Sequence, residues 1–258
     1  MQEDITTALE KVLATNILGK RVYHYKSVTS TMEIGRRLAR EGAKEGTTII
    51  ADKQTAGRGR LNRAWLSPEN NLYMSIILRP SLGDLPGLIM VASLAVVNAI
   101  KKVSGVEARI KWPNDVLIND KKVCGILIEN EIGGNTVNFS IIGIGINIEL
   151  DPSDHSEIAS TATSLKYESG KKISRTELVC SVLYEFEKLY PGSISSRYVY
   201  DEWCRCMDIV GKSIKVKSGQ EIVQGLVEKV TDKGSLILRK DNGDIHEILC
   251  GDVTLIKE

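Results

Sequence analysis

Apolar positions at helical spacing, Ile5, Leu9, Val12 and Leu13, predict an amphipathic helix over residues 4–18 that Gly19 ends. Residues 21–26 read as a strand, and Thr29-Ser30-Thr31 with Glu33 has the make-up of a helix N-terminus leading into residues 32–41. Ser30 and Thr31 have two readings there: capping groups, or hydrogen-bonding groups for a ligand held where unpaired N–H groups gather. β-Branched and apolar runs predict strands over 47–54 and 71–78, and residues 84–103 form a long apolar helix that packs Leu88, Val91, Ala92, Ala95 and Ala99 on a sheet.

Residues 107–112, 116–118, 122–129 and 137–147 then read as closely spaced strands joined by turns at Asn119-Asp120-Lys121 and Gly133-Gly134-Asn135. The connections are too short for crossover helices, so this block is an antiparallel meander. Alternation sets Lys122, Cys124, Ile126 and Ile128 against Val123, Gly125 and Leu127 without deciding which face is wet. A polar connection over 151–170, with room for a short helix, leads to two helices, 174–190 and 195–207, separated by Pro191-Gly192. From about Gly211 the pattern changes to short strands, 213–216, 221–230, 235–239 and 244–249, as in a small β-barrel of SH3-like type.

Composition narrows the class. A chain of 258 residues with net charge +1 is long enough for one large domain and a small one, and its neutrality argues against bulk binding to nucleic acid or anionic membranes. The five cysteines, Cys124, Cys180, Cys204, Cys206 and Cys250, show no metal-binding or disulfide spacing, which fits reduced thiols. The sequence opens on no signal peptide and no apolar run reaches membrane-spanning length, so a cytoplasmic location is expected. Asn138-Phe139-Ser140 matches a glycosylation sequon that carries no meaning in that setting.

The chemistry concentrates in Gly57-Arg58-Gly59-Arg60-Leu61-Asn62-Arg63-Ala64-Trp65, a loop hung between two strands that joins glycines, three arginines and an aromatic. Glycine lets backbone approach a ligand, and guanidinium forks hold phosphate oxygens in pairs, so the loop is an anion cradle beside an aromatic platform. A Rossmann fingerprint fails because Asn62 stands at the third glycine position and no helix pattern follows. A nucleic-acid-binding loop and a solvated basic turn remain open on this segment alone. Gly143-Ile144-Gly145 also misses the dinucleotide pattern, since Ile148 takes its third glycine slot, and Gly211-Lys212-Ser213 is not a Walker A end, since Cys206 occupies the first glycine position. Asp115 is a turn former after Pro-Asn or a functional carboxylate, and Lys122 an exposed hairpin lysine or a site cation.

Taken together, GRGRLNRAW (57–65), KWPNDV (111–116), KVCGILIE (122–129) and GIGIN (143–147), in this order, resemble biotin protein ligases, also called biotin-[acetyl-CoA-carboxylase] ligases, from about residue 22 onward. Asn62 stands where many members have glycine, and Met32 where many have asparagine. The resemblance implies an α+β fold: a mixed, mostly antiparallel sheet flanked by helices, like class II aminoacyl-tRNA synthetases, over residues 1–208, and a small SH3-like β-barrel over 209–258. It implies two steps, in which biotin and ATP give biotinyl-5′-AMP and pyrophosphate, and biotin then passes to one lysine of a biotin carboxyl carrier domain.

By the same resemblance Lys122, Arg58 and Arg60 are the catalytic cations. Ser30, Thr31, Met32, Gln54, Arg58, Gly59, Arg60, Lys122 and Gly125 bind biotin. Arg58, Arg60, Arg63, Trp65, Asn114, Asn147 and Lys122 bind the nucleotide, Trp65 by stacking on adenine, and Asp115 is the carboxylate linked to Mg²⁺. Members that repress transcription carry an N-terminal helix-turn-helix domain, and too few residues precede the catalytic region here for one, so a monofunctional ligase without DNA binding is expected. A homodimer is compatible with the sequence, but no residue argues for it. Two other classes stay open: a lipoate ligase or octanoyl transferase of related fold, and a non-catalytic ligand or nucleic-acid binder.

Overall fold

A computed structural model of the chain describes residues 5–192, 194, 196–218, 221–249 and 251–256. Cys250 and the expected helix starts at residues 4 and 195 lie outside the described residues. In chain order the elements are α1 (Ile5–Val12), β1 (Val22–Val28), α2 (Thr31–Arg40), β2 (Thr48–Gln54), β3 (Leu72–Leu78), α3 (Leu85–Ser104) and β4 (Arg109–Lys111). There follow β5 (Asp115–Ile118), β6 (Lys121–Gly133), β7 (Thr136–Ile146), α4 (Leu165–Ser169), α5 (Arg175–Leu189) and α6 (Arg197–Met207). The chain closes with β8 (Ser213–Ser218), β9 (Glu221–Val230), β10 (Leu236–Arg239), β11 (Ile245–Ile248) and β12 (Asp252–Leu255).

A seven-stranded sheet of order β1-β2-β3-β7-β6-β5-β4 forms the centre. Only β1 and β2 run parallel; the other neighbours are antiparallel, and β4 to β7 make the expected meander. One face of the sheet packs on α2 through Met32, Leu38, Ile49, Ile77, Phe139 and Ile141. The other buries the larger core beneath α3, α5 and α6, where Leu88, Val91, Ala92, Ala95 and Ala99 have no exposed surface. Helix α3 with its lead-in turn is long and apolar enough to cross a membrane by length and hydropathy, yet most of that span is buried as the core helix of this α+β fold. The C-terminal strands form a separate five-stranded antiparallel sheet, β11-β10-β9-β8-β12.

Three sequence expectations need correction. Helix α1 ends at Val12 rather than continuing to residue 18, and Val12 is exposed, so among the described residues its buried side chains are Ile5 and Leu9. The chain leaves the helix because Glu187 on α5 accepts the backbone N–H groups of Asn16, Ile17 (2.8 Å) and Leu18 (2.8 Å) in place of helical bonds. Strand β6 is longer than expected, reaching Gly133, because β7 stays paired with it to the turn. Strand β12 was missed altogether: four residues pairing with β8, 35 or more positions earlier, leave little local signal.

Candidate functional site

The loop between β2 and β3 folds over the sheet and forms a cavity of about 140 Å³, open on one side. Helix α2 contributes Ser30, Thr31 and Met32 to its wall, β2 gives Gln54, and the loop gives Arg58, Gly59, Arg60, Arg63 and Trp65. The turn before β5 adds Asn114, the start of β5 adds Asp115, β6 adds Lys122 and Gly125, and the remote β12 adds Asp252.

At the start of α2, Ser30 is extended (φ −158°, ψ 136°) and makes no side-chain cap bond, so capping is not its role. The first turn's N–H groups are therefore left without that partner at the cavity wall. Gln54 Oε1 accepts from Thr31 N (2.9 Å) and Thr31 Oγ1 (3.2 Å), while Ser75 Oγ donates to Thr31 Oγ1 (2.8 Å). Gln54 Nε2 donates to Ser67 Oγ (3.0 Å), which donates to Trp65 O (2.9 Å). This chain of bonds runs from the buried middle of β3 to the loop, fixing the Gln54 amide and the loop's return together.

The three loop arginines are tied to different parts of the fold. Arg58 sits between Glu129 of β6 (3.8 Å) and Glu33 of α2 (4.0 Å), and Glu129 also pairs with Arg36. Its Nε and Nη2 are buried with no hydrogen-bond partner, an expensive arrangement that an anion in the cavity would relieve. Arg60 Nη1 donates to Asn114 Oδ1 (2.9 Å), and Asn114 Nδ2 in turn donates to Ile126 O (2.7 Å). Arg63 makes a two-pronged pair with Asp252, Nη1 to Oδ1 (3.1 Å) and Nη2 to Oδ2. Those hydrogen bonds, with the carboxylate's charge, hold the Arg63 guanidinium above its usual pKa. Leu61 (φ 55°) and Asn62 (φ 57°) take left-handed conformations at the loop tip, which asparagine tolerates better than leucine.

Lys122 faces the cavity because β6 bulges. The register with β5 slips between Val116 and Leu117, so Cys124 opposes Val116 while Lys122 opposes Leu117 and Val123 is skipped. Strict alternation would set Lys122 with Cys124; instead its side chain comes beside Gly125. There Nζ meets Asp115 Oδ1 at 2.7 Å and stands 5.1 Å from the centre of the Trp65 ring. The indole lies across two cross-strand partners, Gly125 and Gly145. A Cβ on Gly145 would come within 2.5 Å of Trp65 Nε1, and one on Gly125 within 2.9 Å of Cζ3, so only glycine leaves room for the ring.

Residues 25–147 match the model of the "Biotin/lipoate A/B protein ligase family", and residues 209–255 that of the "Biotin protein ligase C terminal domain". The bifunctional ligase/repressor BirA of Bacillus subtilis is 37% identical over 249 residues, which cover 94% of this chain and 76% of that protein. A biotin--[acetyl-CoA-carboxylase] ligase of Paracoccus denitrificans is 33% identical over 211 residues, 78% of this chain and 88% of that protein. The chain belongs to the biotin protein ligases. The fold agrees: the solved biotin protein ligase of Aquifex aeolicus in complex with biotin and ATP has 33% identity and a TM-score of 0.73, covering 93% of this chain and 100% of that one.

Within this biotin protein ligase fold, one sequence-derived candidate is not brought to the cavity. Asn147 is buried behind it, its Nδ2 donating to Thr163 O (3.0 Å) and its N to Val123 O (2.8 Å), so it braces the segment after β7 against β6. Sequence reading also passed over Glu33, Glu129, Ser67 and Asp252. In the sequence Glu33 reads only as part of a helix N-terminus, and only the fold brings the carboxylates to the arginines. Cys124, directly behind Lys122, has its thiol pushed up by burial and stays protonated. Among the described residues no group of three His, Cys, Asp or Glu side chains could hold a metal unaided. Asp115 is a single carboxylate beside a lysine, a donor set that suits Mg²⁺ only where phosphate oxygens and water complete the shell.

Proposed function

We propose that the chain is a biotin-[acetyl-CoA-carboxylase] ligase that activates biotin with ATP and transfers it to a lysine of a biotin carboxyl carrier domain. The observation that supports this best is the convergence of Arg58, Arg60 and Lys122, from two separate elements, on one cavity that Ser30, Thr31, Gln54 and Gly125 also line. In the first step a biotin carboxylate oxygen bonds to the α-phosphorus as the bond to pyrophosphate breaks, the electron pair leaving with pyrophosphate. Two anions must meet, so fixed positive charge at the transition state is the main requirement. Lys122 stands between carboxylate and α-phosphate, with Arg58 and Arg60 over the phosphates and Arg63 at the nucleotide's outer side. Ser30, Thr31, Gln54 and the backbone at Gly59 and Gly125 hold biotin's polar atoms with Met32 as an apolar wall, while Trp65 stacks on adenine and Asn114 lies near the nucleotide. In the second step the carrier amine attacks the acyl carbon and AMP departs.

Asp115 would hold a magnesium ion through phosphate oxygens, and the metal supplies charge neutralisation on the triphosphate. Residues 1–208 act as the catalytic domain and 209–258 as the small SH3-like domain, a division supported by the separate five-stranded sheet. The match to the biotin protein ligase C-terminal domain supports biotin over lipoate as the acyl group. Mass spectrometry of a biotin carboxyl carrier domain incubated with the protein, biotin, ATP and magnesium tests the proposal. One lysine gaining the mass of a biotinyl group is expected; no gain with biotin, or a gain with lipoate instead, refutes it.

A further inference from the structure

The 57–65 loop is joined to the rest of the cavity wall by three guanidiniums, but only one of these ties crosses to the C-terminal sheet. Arg63 and Asp252 are 189 positions apart in sequence and meet fork to fork, Nη1 to Oδ1 at 3.1 Å and Nη2 to Oδ2. Asp252 lies at the first position of β12, whose partner Lys217 on β8 fixes it in register, and it lines the cavity itself. Gly59 N donates to Arg63 O (2.8 Å) and Arg63 N to Arg60 O (3.1 Å), so holding Arg63 also holds the strained tip at Leu61 and Asn62. We infer that Asp252 is a positioning residue: a latch by which the C-terminal sheet keeps the arginine loop seated over the cavity.

This deepens the adenylation reading and rests on it for its catalytic consequence. A mixed anhydride survives between the two steps only if water is kept out, and a loop folded over the cavity is the wall that does so. A rim ion pair suits that duty. It is strong enough to bias the loop toward the seated position and weak enough to release. Its pairing is two-pronged, the geometry in which an exposed pair has a measurable effect, and it is screened by salt.

The test uses trypsin on the full-length, unliganded protein, reading cleavage after Arg60, whose own guanidinium the substitution does not touch. Asp252→Asn should be cut there about threefold faster than wild type, the size of effect an exposed pair produces. Asp252→Glu, which keeps the charge, should stay near wild type. Adding 1 M NaCl should bring wild type to the rate of Asp252→Asn and leave that variant unchanged, with trypsin calibrated on a small peptide at each salt. With biotin, ATP and magnesium but no carrier, Asp252→Asn should also release AMP about threefold faster from the adenylate it has formed, followed as a single-turnover decay. Unchanged cleavage in Asp252→Asn, or equal acceleration in Asp252→Glu, overturns the latch; unchanged AMP release overturns its link to sequestration. Should wild type form no adenylate at all, the function proposal fails while the cleavage measurement still decides the latch.

Discussion

Lys122 shows why a single residue could not be assigned from spacing. Alternation along residues 122–128 left its face open, and the fold settles it through a bulge that no local pattern announces. Its pairing with Asp115 at 2.7 Å means that Lys122→Met replaces a charge on the cavity wall while keeping length and bulk. The expected result is a melting temperature within a few degrees of wild type and a rate of biotin-dependent pyrophosphate release about a hundredfold lower, the loss of roughly 3 kcal/mol of transition-state stabilisation. Wild-type turnover would remove Lys122 from the chemistry. The glycine opposite gives a second test. Gly145→Ala sets a methyl within 2.5 Å of the indole, so Trp65 must leave its seat at a cost of about 1–3 kcal/mol. Trp112 and Trp203 are buried elsewhere, so the tryptophan emission should shift red in Gly145→Ala but not when the substitution is made in a Trp65→Phe background. An equal shift in both backgrounds would place the disturbance away from Trp65.

At the scale of elements, the strands and long helices were legible because each carries its own pattern: the meander's turns, the apolar run of α3 and the β-branched run before the arginine loop. The arginine cradle was legible too, as composition. What could not be read were the charged partners of the cradle, Glu33, Glu129 and Asp252, because charge pairing over tens to hundreds of positions leaves no periodicity. The early end of α1 is the same kind of failure, since Glu187 reaches it from α5. Burial raises the pKa of Glu187, but the N–H groups of Asn16, Leu18 and Ile17 outweigh it and hold the carboxyl below its ordinary value of 4.5. A depressed carboxyl stabilises the fold above the unfolded-state pKa, and that stabilisation is lost as pH falls through the folded-state value. Glu187→Gln should therefore cost about 1–2 kcal/mol at neutral pH, by exchanging charged for neutral acceptors. The gap in melting temperature between variant and wild type should narrow steadily from pH 5 to pH 3. A gap independent of pH would show that the carboxylate's charge has no part in holding the segment.

Across the whole molecule, the two sheets are separate in hydrogen bonding but not in packing. A single apolar cluster runs from Leu88, Trp112 and Phe186 in the catalytic layers to Val216, Val227 and Leu236 in the C-terminal sheet. Trp203 of α6 is at the join: its Nε1 donates to Ser93 Oγ of α3 (3.0 Å), and its ring lies near Gly234 of the turn before β10. Trp112 Nε1 donates to Gly234 O (2.7 Å) and Tyr200 Oη to Val230 O (2.6 Å), so the same turn and the end of β9 satisfy polar groups on α6 and β4's exit. Fixed sheets sharing a core should unfold together. Full-length protein is expected to give one thermal transition, with coincident far-ultraviolet and tryptophan signals and a calorimetric enthalpy equal to the van't Hoff value. Ending the chain at residue 208 strips the cover from Trp112 and Trp203 and leaves both indole-side contacts incomplete, so the truncated protein should bind a hydrophobic dye and lose its sharp transition. It should also lose adenylate formation beyond what removal of Asp252 alone costs, because the turn that steadies Trp112 steadies the adjoining Pro113-Asn114-Asp115 wall of the cavity. Two resolved transitions in the full chain, or a truncated protein that melts cooperatively and keeps the activity of Asp252→Asn, would show instead that the C-terminal sheet is an appendage joined to the site by the latch alone.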